Sequence, residues 1–295
     1  MTVLVTGAGG QVGREILRLA PSGTAVIGLD RQHLDVTDAE AVRAAIRAHA
    51  PDAVIHAAAY TAVDRAEAEP ERAMAVNGIG TANVAAACAE SGAGLVALST
   101  DYVFGGSRNA AYRPEDPVSP VNVYGASKAR GEHEALAAGG RAVVLRTAWV
   151  FSAAPGNFAS TMLRLAGTEP RLRVVADQWG HPTPAEHVAH AALAAAARVD
   201  ALPPILQVAG APLATWYDLA TALVEAASSA GMCPRVPVDP VTTEAYGAAA
   251  PRPRRVELEV APSLEALGME PFDWRASIPP LLRRWSPLHR RGTEL

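Results

Sequence analysis

Tyr124 and Lys128 stand four residues apart in the stretch Val123-Tyr124-Gly125-Ala126-Ser127-Lys128. Residues at that spacing share one face of a helix, so a phenol and an ammonium would point the same way. The pair could do acid–base chemistry. A neighbouring positive charge favours phenolate and draws a phenol pKa down from its ordinary value near about 10. Lys128 is also the only lysine among 295 residues; every other basic residue except histidine is arginine. Such a chain keeps a lysine where a compact, titratable charge with mobile donors is needed.

The elements that must position this pair read as an alternation of strands and helices. Val3 to Thr6 is a short buried strand that runs into Gly7-Ala8-Gly9-Gly10-Gln11-Val12-Gly13 and then a helical pattern. Strand, glycine turn and helix open a nucleotide-binding βαβ unit. The glycines at 7, 10 and 13 are three apart, which differs from the commoner G-x-G-x-x-G. The physics is the same: a tight turn, close backbone approach and a helix N-terminus aimed at a pyrophosphate. Ala25 to Leu29 is the second strand and delivers Asp30 and Arg31. Asp30 could hold ribose hydroxyls and argues for NAD, whereas Arg31 could meet a 2′-phosphate and argues for NADP. The two leave the preference open. Asp35 and Val36 follow where an adenine edge would lie, and Thr37 or Asp38 could cap the next helix.

Pro51 to His56 reads as strand three, followed by Ala57-Ala58-Ala59-Tyr60-Thr61 at the edge where open parallel sheets bind ligands. A long helix is expected over about 72–91. Strand four, Leu95 to Leu98, delivers Ser99-Thr100-Asp101 to the same edge, and Ala142 to Thr147 is strand five. This order predicts an α/β fold with a doubly wound, Rossmann-type parallel sheet and a smaller C-terminal α/β lobe. Residues 1–150 are assigned to the NAD(P)-binding domain, with segments around 170–210 returning to it. Residues 151–295 are assigned mainly to a substrate lobe, with a frayed tail from Arg290 to Leu295.

Bulk properties narrow the function classes. A net charge of −4 with scattered arginines argues against a nucleic-acid or membrane surface. No apolar run reaches membrane-spanning length, and the start carries no signal-peptide pattern. Cys88 and Cys233 lie far apart and read as buried thiols in a reducing, cytoplasmic compartment.

Seven motifs occur in order: the turn from Thr6 to Gly13, Ala57 to Asp64, Ser99 to Phe104, Tyr124 to Lys128, Arg146 to Phe151, Gly156 to Phe158, and Asp177 to Thr183. The set resembles the extended short-chain dehydrogenase/reductases, and within them the dTDP-4-dehydrorhamnose reductases. The resemblance implies NAD(P)H-dependent reduction of the C4 ketone of a dTDP-4-keto-6-deoxyhexose. It implies that Tyr124 is the general acid, with Lys128 beside it reaching the nicotinamide ribose. Thr100 would hydrogen-bond the substrate carbonyl, and Thr100, Asp101 and Trp149 would contact the sugar. Gly7, Gly10, Gln11, Val12 and Gly13 would meet the pyrophosphate. Asp30, Arg31, Asp35 and Val36 would lie at the adenosine end, and Ala57, Ala58, Ala59, Tyr60 and Thr61 along strand three.

Related 4,6-dehydratases follow the threonine with Asp-Glu; here Asp101 and Tyr102 follow Thr100, so elimination lacks its base. Gly105-Gly106 and Val256 depart from the family pattern on the substrate side, which leaves the sugar open between dTDP-4-dehydrorhamnose and another 4-keto sugar. A non-catalytic cofactor-binding subunit is a rival reading. The resemblance also implies that some relatives bridge a homodimer with Mg2+ through glutamates; Glu15 and Glu186 are candidates for that role or, more commonly for glutamates on helices, part of a solvated face. No metal is required by the reaction. His181, His187 and His190 near Glu186 are read as structural, Trp216 and Tyr217 as packing, and Arg252, Arg254 and Arg255 as either a diphosphate clamp or a solvated turn.

Overall fold

The computed structural model describes residues 1–290, with side-chain surroundings given as far as residue 285. The tail expected to fray therefore lies, beyond Arg290, outside the described residues. The central sheet has six parallel strands. Five are β1 (Thr2–Thr6), β2 (Ala25–Leu29), β3 (Ala53–His56), β4 (Gly94–Thr100) and β5 (Ala142–Thr147). The sixth, Ile205–Gln207, lies outside β5, giving the order Ile205–Gln207, β5, β4, β3, β1, β2. Strand order reverses between β1 and β3, because the chain goes first to β2 and then crosses back. Ligands bind at such a switch point, outside the carboxyl ends of the strands.

Apart from the half-exposed edge strand β2, the apolar runs that predict strands are apolar because both faces are covered. Val3, Leu4 and Val5 are each 0% exposed. Val3 and Val5 face a core that includes Ile16 of α1 (Gln11–Arg18) and Ala189 and Ala192 of the helix Ala185–Ala196. Leu4 faces the other core, with Val42 and Ile46 of α2 (Ala39–His49) and Val84 of the helix Gly80–Ser91. Each fully buried side chain of this size contributes about 1.5–3 kcal/mol. The two layers of burial hold the carboxyl ends of β1, β3, β4 and β5 side by side.

Asp38, not Thr37, caps α2, accepting from the backbone N–H groups of Glu40 and Ala41. The helix expected over 72–91 is not continuous. It runs Pro70–Met74, then a π-helical turn Ala75–Ile79, then Gly80–Ser91. The widened turn contains Asn77, whose side chain faces the ligand edge of the sheet rather than the helix surface. Leu172–Val175 does not join the central sheet; it pairs in parallel with Val238–Val241. Cys88 is buried, whereas Cys233 is only half-buried.

Candidate active site

Two hollows meet the ligand edge of the sheet. The first, about 550 Å³, runs under the glycine turn and is lined by Gly7, Gly10, Asp30, Arg31, Asp35 and Val36 on one side. Ala57, Ala58, Ala59 and Tyr60 line its other side. The second, about 560 Å³, lies over β4 and β5 and takes in Gln11, Thr61, Thr100, Asp101, Tyr124 and Trp149. Val12 packs into the apolar core, and Gly13 is buried one turn into α1.

The glycine turn is built for a ligand that approaches the backbone. Gly7 has φ +70°, and a Cβ there would sit 2.5 Å from the Ala58 nitrogen, so a side chain is excluded twice over. Gly10 precedes α1 with no side-chain cap, which leaves the first N–H groups of the helix available to an anion. Small residues on both walls leave room for a dinucleotide, and the site fits one. At its outer end Asp30 is already engaged. Its Oδ1 accepts from the backbone N–H of Gln32 at 2.9 Å and meets His33 Nδ1 at 2.7 Å. These hydrogen bonds, the His33 side chain first, hold the Asp30 carboxyl below its ordinary range.

Tyr124 and Thr100 come together, as do Thr100 and Asp101. The helix Val123–Ala137 is capped by Asn122, whose side chain accepts from the Gly125 N–H at 2.7 Å. Thr100 ends β4; its hydroxyl donates to Asp101 Oδ1 at 3.0 Å, and it lines the same cavity as Tyr124. The Tyr102 ring meets Tyr124 edge-on at 5.6 Å. Lys128 is 5% exposed, and its Nζ donates to the Leu98 carbonyl at 2.6 Å.

The electrostatics differ from the sequence expectation. Burial pushes the Tyr124 phenol up to about 12; the Thr100 hydrogen bond pulls the other way and the Asp101 charge adds to the rise. Burial likewise brings Lys128 down to about 8, with Glu132 opposing. Lys128 is not among the causes that shift Tyr124: one of its three N–H donors goes to the Leu98 carbonyl, and its charge is felt by buried His56. For Tyr124, desolvation is the largest influence.

Beneath these groups lies a buried ionic floor. Arg146 of β5 forks onto Glu132 at 2.9 and 2.7 Å, and Ser99 donates to Glu132 at 2.5 Å. This ties β4, β5 and the Tyr124 helix together and removes Ser99 from any nucleophilic role.

Asn77 went unread in the sequence, and Trp216, Trp149 and Gln11 make contacts the sequence did not show. Asn77, in the π turn, bonds both backbone groups of Tyr60 and donates to Ser127 at 2.9 Å, tying the end of strand three to the Tyr124 helix. Its signal was an asparagine next to a glycine in an alanine-rich helix. Trp216 does more than pack. It stacks on Trp149 at 3.7 Å and 7°, and both rings line the second hollow. Trp149 adopts φ +43°, and its ring lies where a Cβ on Gly180 would be, 2.5 Å away. Gln11 links the glycine turn to the far segment, accepting from Ser152 at 2.9 Å.

The arginine triplet divides. Arg252 lines the cavity and forks onto Asp64 at 2.9 and 2.8 Å, while Arg255 pairs with Glu257. The three do not form a clamp. Glu15 and Glu186 do approach one another, but Arg18 and Arg284 lie between them and pair with both. Two guanidinium groups already balance these carboxylates, so the residues present do not fit a magnesium ion. His181 pins backbone, meeting the Gly210 carbonyl through Nδ1 and accepting the Leu258 N–H at 3.0 Å. His187 stacks on Phe272.

Comparison with known proteins gives one answer. The RmlD substrate binding domain matches residues 1–286. The chain is 43% identical to a dTDP-4-dehydrorhamnose reductase of Streptomyces griseus, over 93% of this chain and 91% of that protein. It is 38% identical to the spore coat polysaccharide biosynthesis protein SpsK of Bacillus subtilis, over 94% and 95% of the two chains. Among solved structures it resembles the dTDP-4-dehydrorhamnose reductase of Bacillus anthracis in complex with NADP. The TM-score is 0.88 at 33% identity, with 96% of this chain and 98% of that chain covered.

Proposed function

The chain belongs to the RmlD substrate binding domain family, and from that premise we propose that it reduces the C4 ketone of dTDP-4-dehydrorhamnose to give dTDP-L-rhamnose. The observation that carries this is the convergence of Thr100, Tyr124 and Trp149 on one cavity at the ligand edge of the sheet. A groove fit for a dinucleotide meets that same edge. The bound nicotinamide cofactor supplies the hydride.

The protein's own groups manage the oxygen. As negative charge develops there, Tyr124 delivers a proton, and Thr100, on the same cavity wall, steadies the phenolate left behind. Burial of the phenol removes competing water, so each donor acts in a low-dielectric setting. Lys128 anchors the carbonyl of β4 and is the group proposed to hold the nicotinamide ribose. The Trp149–Trp216 stack forms an apolar wall for the sugar nucleotide. The missing glutamate after Asp101 leaves no base for elimination, which separates this reaction from dehydration.

NADPH is the proposed reductant. Arg31 lines the adenosine end of the groove while Asp30 is occupied by His33, an arrangement that suits a 2′-phosphate more than a bare ribose. We further propose residues 1–150, with the returning strand Ile205–Gln207, as the cofactor domain and most of the remainder as the substrate lobe. The test is NADPH oxidation by purified protein given dTDP-4-dehydrorhamnose. Stoichiometric oxidation with dTDP-L-rhamnose as product is expected. Product without net oxidation, or no turnover across several dTDP-4-keto sugars, would overturn the reading.

A further inference from the structure

Resting on the reductase reading, we propose that Asp101 is a positioning residue: it sets the direction of the hydrogen bonds around Tyr124 and returns the proton that Tyr124 gives away. The argument starts from Thr100. A threonine hydroxyl has one proton and two lone pairs. Here it donates to Asp101 Oδ1 at 3.0 Å, accepts the Tyr102 N–H at 3.2 Å and borders the same cavity as the Tyr124 phenol, whose pKa it draws down. One proton cannot serve both Asp101 and Tyr124. With Asp101 ionised, the Thr100 proton is committed to the carboxylate, and Thr100 can only accept from Tyr124. With Asp101 protonated, the carboxyl donates to Thr100, and the Thr100 proton is released towards Tyr124.

The surroundings leave Asp101 free to take either state. It is 3% exposed and borders the cavity. The titratable groups near it are Tyr102 on its own turn and Tyr124 on the packed helix. Arg252, from the lobe segment, is forked onto Asp64. Lys128, on the Tyr124 helix, donates to the Leu98 carbonyl. Among the described residues no cation pairs with the carboxylate, and burial holds its pKa up at about 7, against the pull of the Thr100 hydrogen bond.

The proton balance closes. Tyr124 O–H breaks as its proton passes to the C4 oxygen, leaving phenolate. The Thr100 proton moves to the phenolate, the Asp101 carboxyl proton moves to Thr100 Oγ1, and the Asp101 carboxylate takes from hydronium or buffer acid in the solvent the one proton that the overall reduction consumes. Only protons travel this route; the single electron pair transferred is the hydride. A phenolate whose phenol titrates at about 12 draws a proton readily from an acid at about 7.

Two measurements test this. In kcat against pH, with dTDP-4-dehydrorhamnose and NADPH, the parent is expected to lose about tenfold per pH unit above neutrality as Asp101 ionises. Asp101→Asn cannot titrate and holds no proton to return. Its kcat should be at least about tenfold lower at slightly acid pH and should lack that limb, with KM for the sugar nucleotide moving less than kcat. A variant that keeps the limb at the same pH, or the parent's kcat, overturns the proposal. The second measurement is infrared difference spectroscopy of the resting protein across neutral pH. A protonated-carboxyl band should appear as pH falls, vanish in Asp101→Asn and shift in Thr100→Val. A carboxyl ionised throughout, or indifferent to Thr100→Val, overturns it without any turnover. A parent that reduces no 4-keto sugar sinks the functional reading instead, and the infrared result then decides separately whether Asp101 is coupled to Thr100.

Discussion

The groove under the glycine turn and the cavity over Tyr124 are nearly equal in volume, about 550 and 560 Å³, yet they are made differently. The groove is mostly backbone and small side chains from the ends of three neighbouring strands. Its defining piece, Gly7 to Gly13, is contiguous in the chain. The cavity is made of side chains that arrive from far apart: Gln11, Thr61, Thr100, Tyr124, Trp149, Trp216 and Arg252. Those pieces are held by individual cross-links, Arg252 to Asp64, Trp149 on Trp216, and Asn122 to the Pro251 carbonyl at 2.9 Å. A backbone turn suits what all dinucleotides share, and only side chains at the outer end, Asp30 and Arg31, are placed to discriminate between them. A cavity made of separate side chains can be retuned one residue at a time, which is how a shared fold serves different sugars.

The comparison can be broken most sharply at Tyr124. Tyr124→Phe should lower turnover by roughly 10²–10⁴-fold while NADPH binding, followed by fluorescence titration, stays as in the parent. A matching loss of cofactor affinity would mean that the two regions are not separable. Gly7→Ala strikes the other side. The left-handed backbone and the approach to Ala58 should cost about 1–3 kcal/mol, seen as weaker NADPH binding and a lower Tm. Unchanged binding would show that the turn does not hold the dinucleotide.

Arg252→Ala should raise KM for the sugar nucleotide about tenfold with little change in NADPH affinity, a loss on the order of 1–2 kcal/mol. Asp64→Asn should reproduce much of that effect, and a double-mutant cycle should find the two coupled. Independent effects would remove the fork as a brace of the cavity. The smallest change is expected at Asp30. Asp30→Ala frees His33 and removes a negative charge beside Arg31, so the ratio of kcat/KM for NADPH over NADH should rise a few-fold, about 0.5–1 kcal/mol. A fall in that ratio would reverse the reading of the adenosine end.

Some of the molecule was legible before any coordinates. Period and composition located the five leading strands; four of them are buried on both faces and so must be apolar throughout, as Val3 to Val5 and Val143 to Leu145 are, while the edge strand β2 is only half-buried. The cap of α2 was legible to within one residue because capping is local; Asp38 accepts from Glu40 and Ala41, two and three residues on. The helix over 72–91 misled, since nothing in its composition signals that the backbone widens into a π turn at Asn77. Trp216 misled for another reason. A tryptophan at a helix start looks like packing until its partner, Trp149, is known to lie against it.

By itself, then, the sequence determined the strand–turn–helix that receives a dinucleotide and the spacing of Tyr124 and Lys128, for both depend on neighbours within a few residues. The tertiary structure decided the rest. It set the Lys128 amine against the Leu98 carbonyl, left burial as the largest influence on Tyr124, and paired Glu15 and Glu186 with arginines. Charge and desolvation are set by whatever surrounds a group in space, and most of what surrounds these groups comes from distant parts of the chain.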